Sequence, residues 1–145
     1  MAEKVTVRQN SQFEIEILAQ DPHNPDDQVL HPVGDVRQLT PYGMLLTSLG
    51  SCTAIVMHTY AQYHDVPLSE VELLLEYDRI FADDCKDCAG IEEYKEQITM
   101  NIVVFGDLTP EERQKLFVIS KRCPIHKMLA HGIEVESRLV EQQGG

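Results

Sequence analysis

The feature that most limits how this chain can fold is the stretch from Thr40 to about His64, which is apolar on nearly every side of a helix. Thr40 is a favoured N-cap and Pro41 suits the first helical position, so a helix should begin here. The apolar residues that cover its circumference are Met44, Leu45, Leu46, Leu49, Cys52, Ile55, Val56 and Met57. Such a helix is buried on most sides, and we therefore expect it to be central.

The same helix carries small residues that permit close approach of another backbone, and these are Gly43, Ser48, Gly50 and Ser51. A glycine inside a helix costs about 1 kcal/mol relative to alanine, so a packing reason is expected for the two glycines. The chain offers one other helical region, from Pro110 to about Ala130, which Pro124 breaks. One chain is therefore short of elements to cover the central helix, and we expect a second copy to complete a two-fold homodimer.

Strand patterns lie on both sides of the central helix. The predicted strands are Val5–Val7, Phe13–Leu18, Val71–Ile80, Gln97–Phe105 and Ile133–Val140, with a Pro-interrupted edge segment over Val29–Leu39. Thr109 and Pro110 mark the start of the second helix, which should stop near Arg122 because Cys123 precedes a proline. This order predicts an α+β fold, with antiparallel sheets around a buried central helix.

Length and charge narrow the possible classes of function. The 145 residues suit one domain, spanning 1–145. Asp and Glu number 24 against 12 Lys and Arg, and a formal net charge of −12 repels phosphate backbones and anionic lipid. The chain has no apolar tract of about 20 residues, and the segment from Met1 to Val5 lacks an apolar signal core. We therefore expect a cytoplasmic protein that binds neither nucleic acid nor a membrane.

Two of the four cysteines are candidates for chemistry. Cys52 lies in the middle of the central helix, where a lone cysteine is usually a small core residue. Apolar burial raises the pKa of a thiol, so Cys52 needs an activating neighbour to be reactive.

Cys123 has the more activating context. If Pro124 is the first residue of a short helix, Cys123 occupies the N-cap and its sulfur faces the positive end of the helix dipole. Lys121, Arg122 and Lys127 add positive charge, and both effects lower the pKa of a thiol. The alternative is an ordinary turn between two helices. By electrostatics alone, Cys123 is more activated than the thiol of the central helix.

The other two cysteines, Cys85 and Cys88, form a CxxC motif, whose spacing serves a redox dithiol or half of a zinc site. The neighbouring Asp83, Asp84 and Asp87 would raise the pKa of these thiols, and the sequence has no second CxxC. An inert loop, a labile disulfide and a metal site, either adventitious or completed by another subunit, all remain open.

Neither the histidines nor the common motifs for nucleotide binding and serine hydrolysis assign a function to the chain. His58 and His64 are expected on helix surfaces, and His126 either orients or protonates a substrate or is simply solvated. The sequence contains no GxGxxG, P-loop or GxSxG motif, so nucleotide binding and serine hydrolysis have no support.

The chain resembles the OsmC/Ohr family at two motifs. The central-helix motif of that family is matched by Thr40-Pro41, Met44-Leu45-Leu46 and Leu49-Gly50-Ser51-Cys52-Thr53-Ala54, and its second cysteine motif, in the C-P-x-H form, by Cys123-Pro124-Ile125-His126. The resemblance implies an intertwined homodimer, an active site at the subunit interface and peroxidase chemistry on organic hydroperoxides without a cofactor. It also implies that Cys52 is the peroxidatic thiol, that Cys123 is the resolving thiol, and that a dithiol partner restores both. These roles reverse the order of activation that electrostatics alone gives to the two thiols.

The chain departs from this family at the residues that activate the thiol. Hydroperoxide-reducing members carry a Glu directly after the Pro that opens the central helix, and an Arg from the first hairpin. Here Tyr42 follows Pro41, and neither Arg8 nor Arg37 matches the motif. A tyrosine hydroxyl cannot hold an arginine as a carboxylate does. Two functions are therefore considered: a thiol peroxidase acting on small apolar hydroperoxides, and a non-enzymatic module that binds an apolar ligand or senses redox state.

Overall fold

The structure is a computed structural model that describes residues 2–24, 26–81 and 94–141. The described residues form five strands, one short 3-10 helix and three α-helices. In chain order these are β1 (Ala2–Asn10), β2 (Ile15–Ala19), β3 (His31–Pro32), the 3-10 helix (Val36–Gln38), α1 (Pro41–Tyr63), β4 (Leu68–Phe81), β5 (Tyr94–Gly106), α2 (Pro110–Ser120) and α3 (Pro124–His131).

The strands form one antiparallel sheet in the order β3-β2-β1-β4-β5. Side chains alternate between the two faces of a strand, so Val5 and Val7 of β1 point to the same face as Leu73 and Leu75 of β4. These four residues are buried in the core, to which α1 also contributes. The α+β class predicted from the sequence is confirmed, but α1 is buried mainly on the side that faces the sheet, and Met44 and Ile55 on its other side are exposed.

Gly50 determines how closely α1 approaches the sheet. A Cβ atom at this position would lie 2.8 Å from Cγ2 of Val7 and 2.9 Å from Cδ1 of Leu75. Those distances are shorter than van der Waals contact, so the helix and the sheet pack this closely because the residue is glycine. The close approach expected from the small residues is thus made by Gly50 with the chain's own sheet.

Local signals in the sequence determine where the helices begin. The Thr40 hydroxyl accepts the Gly43 N–H at 3.0 Å at the start of α1. At the start of α2, Thr109 and Glu112 exchange side chain–backbone hydrogen bonds of 3.1 and 2.9 Å, which is a complete capping box. Each helix has its proline at the first position, and α3 likewise begins at a proline with a cysteine as N-cap.

The predicted last strand, Ile133–Val140, is wrong for this structure. These residues form no strand, and their side chains are exposed, with Val135 at 79% and Leu139 fully exposed. Their apolar alternation fits a strand, but a strand also needs a neighbouring backbone for its hydrogen bonds. In the described part of the chain, no strand pairs with this segment.

Two smaller expectations also fail. Phe13 lies in the turn between β1 and β2, with a φ of 63°, and does not belong to a strand. His58 is only 1% exposed, because its ring lies between α1 and the first hairpin, where Nε2 meets the Gln9 carbonyl oxygen at 2.8 Å.

Within the described residues, no helix is long and apolar enough to cross a membrane.

Candidate active site

The structure brings the thiols of Cys52 and Cys123 close enough to interact with each other. Cys52 lies at the middle of α1, on the same face as Leu45 and Leu49. Cys123 reaches it from the N-cap of α3, which packs against α1. Both cysteines are free thiols; Cys52 is half-buried, whereas Cys123 is completely buried.

Opposing influences act on the Cys52 thiol. Burial raises its pKa most, and the neighbouring Cys123 thiol raises it further. The backbone N–H of Ile125, in the first turn of α3, opposes this shift because it favours the thiolate. The pKa of Cys52 remains above its ordinary value, as apolar burial in the central helix predicted.

Cys123 occupies the position predicted for it at the start of α3. Its sulfur accepts the backbone N–H of His126 at 3.5 Å, so it caps the helix as a Ser or Asp would. Its complete burial means that a substrate arriving from solvent meets Cys52 first. The two thiols therefore differ in their access to solvent. The sequence arguments from charge and from the helix dipole did not predict this difference.

A hydrogen-bonded network lies around Tyr42 at the start of α1. The Tyr42 hydroxyl accepts from Nη2 of Arg79 at 2.8 Å, and the Tyr42 ring stacks on Tyr77 at 4.5 Å between centroids. The Tyr77 hydroxyl accepts from Nε of Arg79 at 3.3 Å and donates to Glu96 at 2.8 Å. An arginine therefore does bond to the residue after Pro41, but it comes from β4.

Sequence reasoning missed Arg79, Tyr77 and Glu96. The available signal was strand alternation, since Leu73, Leu75, Tyr77 and Arg79 all have the same parity along β4 and share the face that meets α1. The two arginines considered from the sequence lie elsewhere. Arg8 bonds to Glu72 at 2.8 Å on the other face of the sheet, and Arg37 pairs with Asp35 at 2.9 Å.

The CxxC motif of Cys85 and Cys88 lies outside the described residues. Within residues 2–24, 26–81 and 94–141, no three His, Cys, Asp or Glu side chains are placed to hold a metal ion.

A cavity of about 540 Å³ lies beside the thiol pair, between β5 and the three helices. Its apolar lining consists of Leu45, Leu49, Ile98, Met100, Ile102, Phe117, Leu129 and Ala130. Its polar lining consists of Tyr77, Glu96, Gln97, Ser120, Lys121 and His126. Neither Cys52 nor Cys123 is among the described lining residues, although Leu49 lies one helical turn before Cys52.

Comparisons with known proteins find similarity at the level of family and fold. The family model described as OsmC-like protein matches residues 34–138. Among solved structures, the chain is similar to an OsmC-like hydroperoxide resistance protein from Jannaschia sp. CCS1, with a TM-score of 0.61 and 14% identity over 99% of this chain and 96% of that one. It is also similar to an OsmC-like protein from Mycoplasma pneumoniae, with a TM-score of 0.47 and 19% identity over 87% and 85% of the two chains. Among curated proteins, no match is found.

Proposed function

Because the chain belongs to the OsmC-like protein family, we propose that it is a thiol-dependent peroxidase that reduces small apolar organic hydroperoxides with Cys52 and Cys123. The observation that carries this proposal is that α3 packs against α1 and places the thiol of its N-cap, Cys123, next to the thiol of Cys52. Two neighbouring thiols can be joined by oxidation when the chain brings their Cα atoms within about 7 Å. The resemblance of the fold to a hydroperoxide resistance protein supports the same chemistry.

In the first step, the Cys52 thiolate attacks the terminal oxygen of the hydroperoxide. An S–O bond forms, the O–O bond breaks, and the alkoxide leaves and takes up a proton to become the alcohol. The half-exposed position of Cys52 suits this role, because the fully buried Cys123 is shielded from substrate. The Ile125 N–H would stabilise negative charge on the attacking sulfur.

In the second step, the sulfur of Cys123 attacks the sulfenic acid of Cys52. An S–S bond forms, the S–O bond breaks, and the oxygen leaves as water. An external dithiol then reduces the disulfide by thiol–disulfide exchange and is itself oxidised to a disulfide. No cofactor takes part in this scheme. One hydroperoxide and one external dithiol are thus converted to an alcohol, water and one disulfide.

Substitution of each cysteine tests the proposal. With cumene hydroperoxide and dithiothreitol, Cys52→Ser should abolish peroxide consumption. Cys123→Ser should retain a single turnover that leaves sulfenic acid on Cys52, detectable by dimedone trapping and mass spectrometry. The matched control is the double variant Cys85→Ser/Cys88→Ser, which should keep full turnover. Equal consumption by Cys52→Ser and wild type would remove the peroxidatic role.

We further propose that turnover is slow beside relatives that carry the Glu after the helix-opening Pro. The reason is the raised pKa of Cys52, which leaves little thiolate at neutral pH. The rate of peroxide consumption should therefore rise with pH above neutrality. A rate that is already maximal at pH 6 would contradict this expectation.

A second candidate function is binding of an apolar ligand without catalysis. The cavity between β5 and the helices favours it, because about 540 Å³ is within the size range of small-molecule sites and neither thiol is among its described lining residues. This function predicts ligand binding that is unchanged when Cys52 is replaced by Ser.

A further inference from the structure

The cavity beside the thiol pair has charges of opposite sign at its two ends. Glu96 and Ile102 both line it from β5, and six residues of strand separate them by about 20 Å. Nζ of Lys121 lies 4.7 Å from the centre of the Phe117 ring, and Phe117 shares a second, smaller pocket with Ile102. Lys121 is therefore at the Ile102 end, and Glu96 is at the other.

Most of the remaining lining of the cavity is apolar. Its walls are formed by Leu45 and Leu49 of α1, by Met100 of β5, and by Leu129 of α3. At the Glu96 end, the carboxylate already accepts the Tyr77 hydroxyl at 2.8 Å. A ligand lying along the cavity therefore meets a cation, an apolar wall and then a carboxylate.

We propose that this cavity binds a monoanionic amphiphile, a molecule with one carboxylate and an apolar tail, whose carboxylate lies against Lys121 and His126. Lys121 supplies the positive charge, and the imidazole of His126 can supply a further N–H donor. The tail replaces water along the apolar walls. Glu96 disfavours a second negative charge at the far end of the ligand. The proposal rests on the second candidate function, ligand binding, and names the class of ligand.

Three probes of equal chain length separate these contributions: decanoate, decan-1-ol and decanedioate, each titrated calorimetrically into the full-length reduced protein. Decanoate should bind about 5-fold more tightly than decan-1-ol, because only the acid gains the exposed ion pair with Lys121. Decanedioate should bind more weakly than decanoate, because its second carboxylate must leave water inside the cavity, on the side that faces Glu96. None of the probes contains an O–O bond, so loss of the peroxidase proposal would leave these results unchanged.

Variants that each remove one charge show which residues produce these differences in affinity. Lys121→Gln should weaken decanoate binding by about 5-fold and leave decan-1-ol unaffected. The matched control is Lys127→Gln, which removes the same charge from α3 at a residue outside the cavity lining, and it should change neither probe. Glu96→Gln should improve the binding of decanedioate and leave that of decanoate within twofold.

Three results would overturn the proposal. Equal affinity for decanoate and decan-1-ol would show an apolar site without a preference for anions, and ligand binding itself would stand. An equal effect of Lys121→Gln and Lys127→Gln would show attraction by net charge alone. Absence of binding by all three probes, as when a second copy of the chain fills the cavity, would remove both this proposal and the second candidate function.

Discussion

At the scale of single residues, the reactivity of Cys52 depends on two groups that α3 brings to its sulfur. The thiol of Cys123 favours the protonated form, and the backbone N–H of Ile125 favours the thiolate. Burial raises the pKa of Cys52 most and Cys123 adds to that effect, so the pKa is raised on balance. The residue proposed to resolve the sulfenic acid therefore also restrains the attacking thiol.

Removal of the Cys123 thiol should lower the pKa of Cys52. Cys123→Ala removes the neighbouring thiol that raises it and leaves the Ile125 N–H in place. The pH dependence of iodoacetamide labelling, read on the Cys52 peptide by mass spectrometry, should shift to lower pH. Cys123→Ser, which retains a hydrogen-bonding hydroxyl, should shift it less. An upward shift in Cys123→Ala would mean that Cys123 activates Cys52 instead of restraining it.

His58 should make the stability of the protein depend on pH. Burial lowers the pKa of this imidazole below its ordinary 6.5, against a weaker opposing effect of the Gln9 carbonyl. The unfolded chain keeps the ordinary pKa, so below about pH 6.5 it binds a proton that the folded state does not bind. The free energy of unfolding should therefore fall as the pH drops through this value.

Urea unfolding at pH 7 and pH 5.5 checks the role of His58. His58→Gln should lose less stability between the two pH values than wild type, because the titrating group is gone. His64→Gln replaces an exposed histidine at the end of the same helix and should keep the wild-type slope. If His58→Gln and His64→Gln show the same slope, the pH dependence lies elsewhere.

At the scale of elements, alanine substitution of the two glycines of α1 tests how closely this helix packs on the sheet. Gly50→Ala would place a methyl group 2.8 Å from a Val7 carbon, and such overpacking costs about 1–3 kcal/mol. Gly43→Ala meets nothing closer than 3.4 Å, so the helix propensity of alanine should make it neutral or stabilising by up to about 1 kcal/mol. Chemical denaturation of both variants measures the difference, and equal stabilities would contradict the close packing at Gly50.

The elements that could be predicted from sequence are those whose signals are local. Thr40-Pro41, Thr109-Pro110 and Cys123-Pro124 place the N-cap next to its helix, so the starts of α1, α2 and α3 were predicted at the residue where they occur. The position of Cys123 as N-cap follows from the same signal.

The parts that could not be predicted depend on contacts between distant segments. The bond from Arg79 to Tyr42 joins residues 37 apart, and it required knowing which face of β4 meets the start of α1. The burial of His58 depends on where the hairpin carbonyl of Gln9 lies. The segment after Gly132 has the alternation of a strand, but the sequence does not state which backbone would pair with it.

At the scale of the whole molecule, the described surface leaves several apolar elements uncovered. On α1, Met44 is 40% and Ile55 is 47% exposed. The segment Ile133–Val140, called here the C-terminal arm, is extended and exposed. In the described part of the chain, β5 pairs only with β4, which leaves one side of a long strand without a neighbour. Such surfaces are typical of interfaces between subunits.

We propose that the protein is a homodimer in which the C-terminal arm of each copy pairs with the β5 edge of the other. The arm has the alternation of a strand, and β5 is the longer of the two sheet edges, since β3 has two residues. Light scattering of the full chain should give twice the mass of 16.5 kDa, and the melting temperature should rise with protein concentration.

Variants of the arm test this arrangement directly. Val135→Lys places a charge on the apolar side of the arm and should weaken the dimer, because a desolvated, unpaired lysine is costly at an interface. Glu134→Lys, on the opposite side of the same segment, is the matched control and should leave the dimer intact. Truncation after Gly132 should give a monomer or an unfolded chain. A folded full-length monomer, with a melting temperature independent of concentration, would remove both the dimer and the idea that two copies cover the apolar residues of α1.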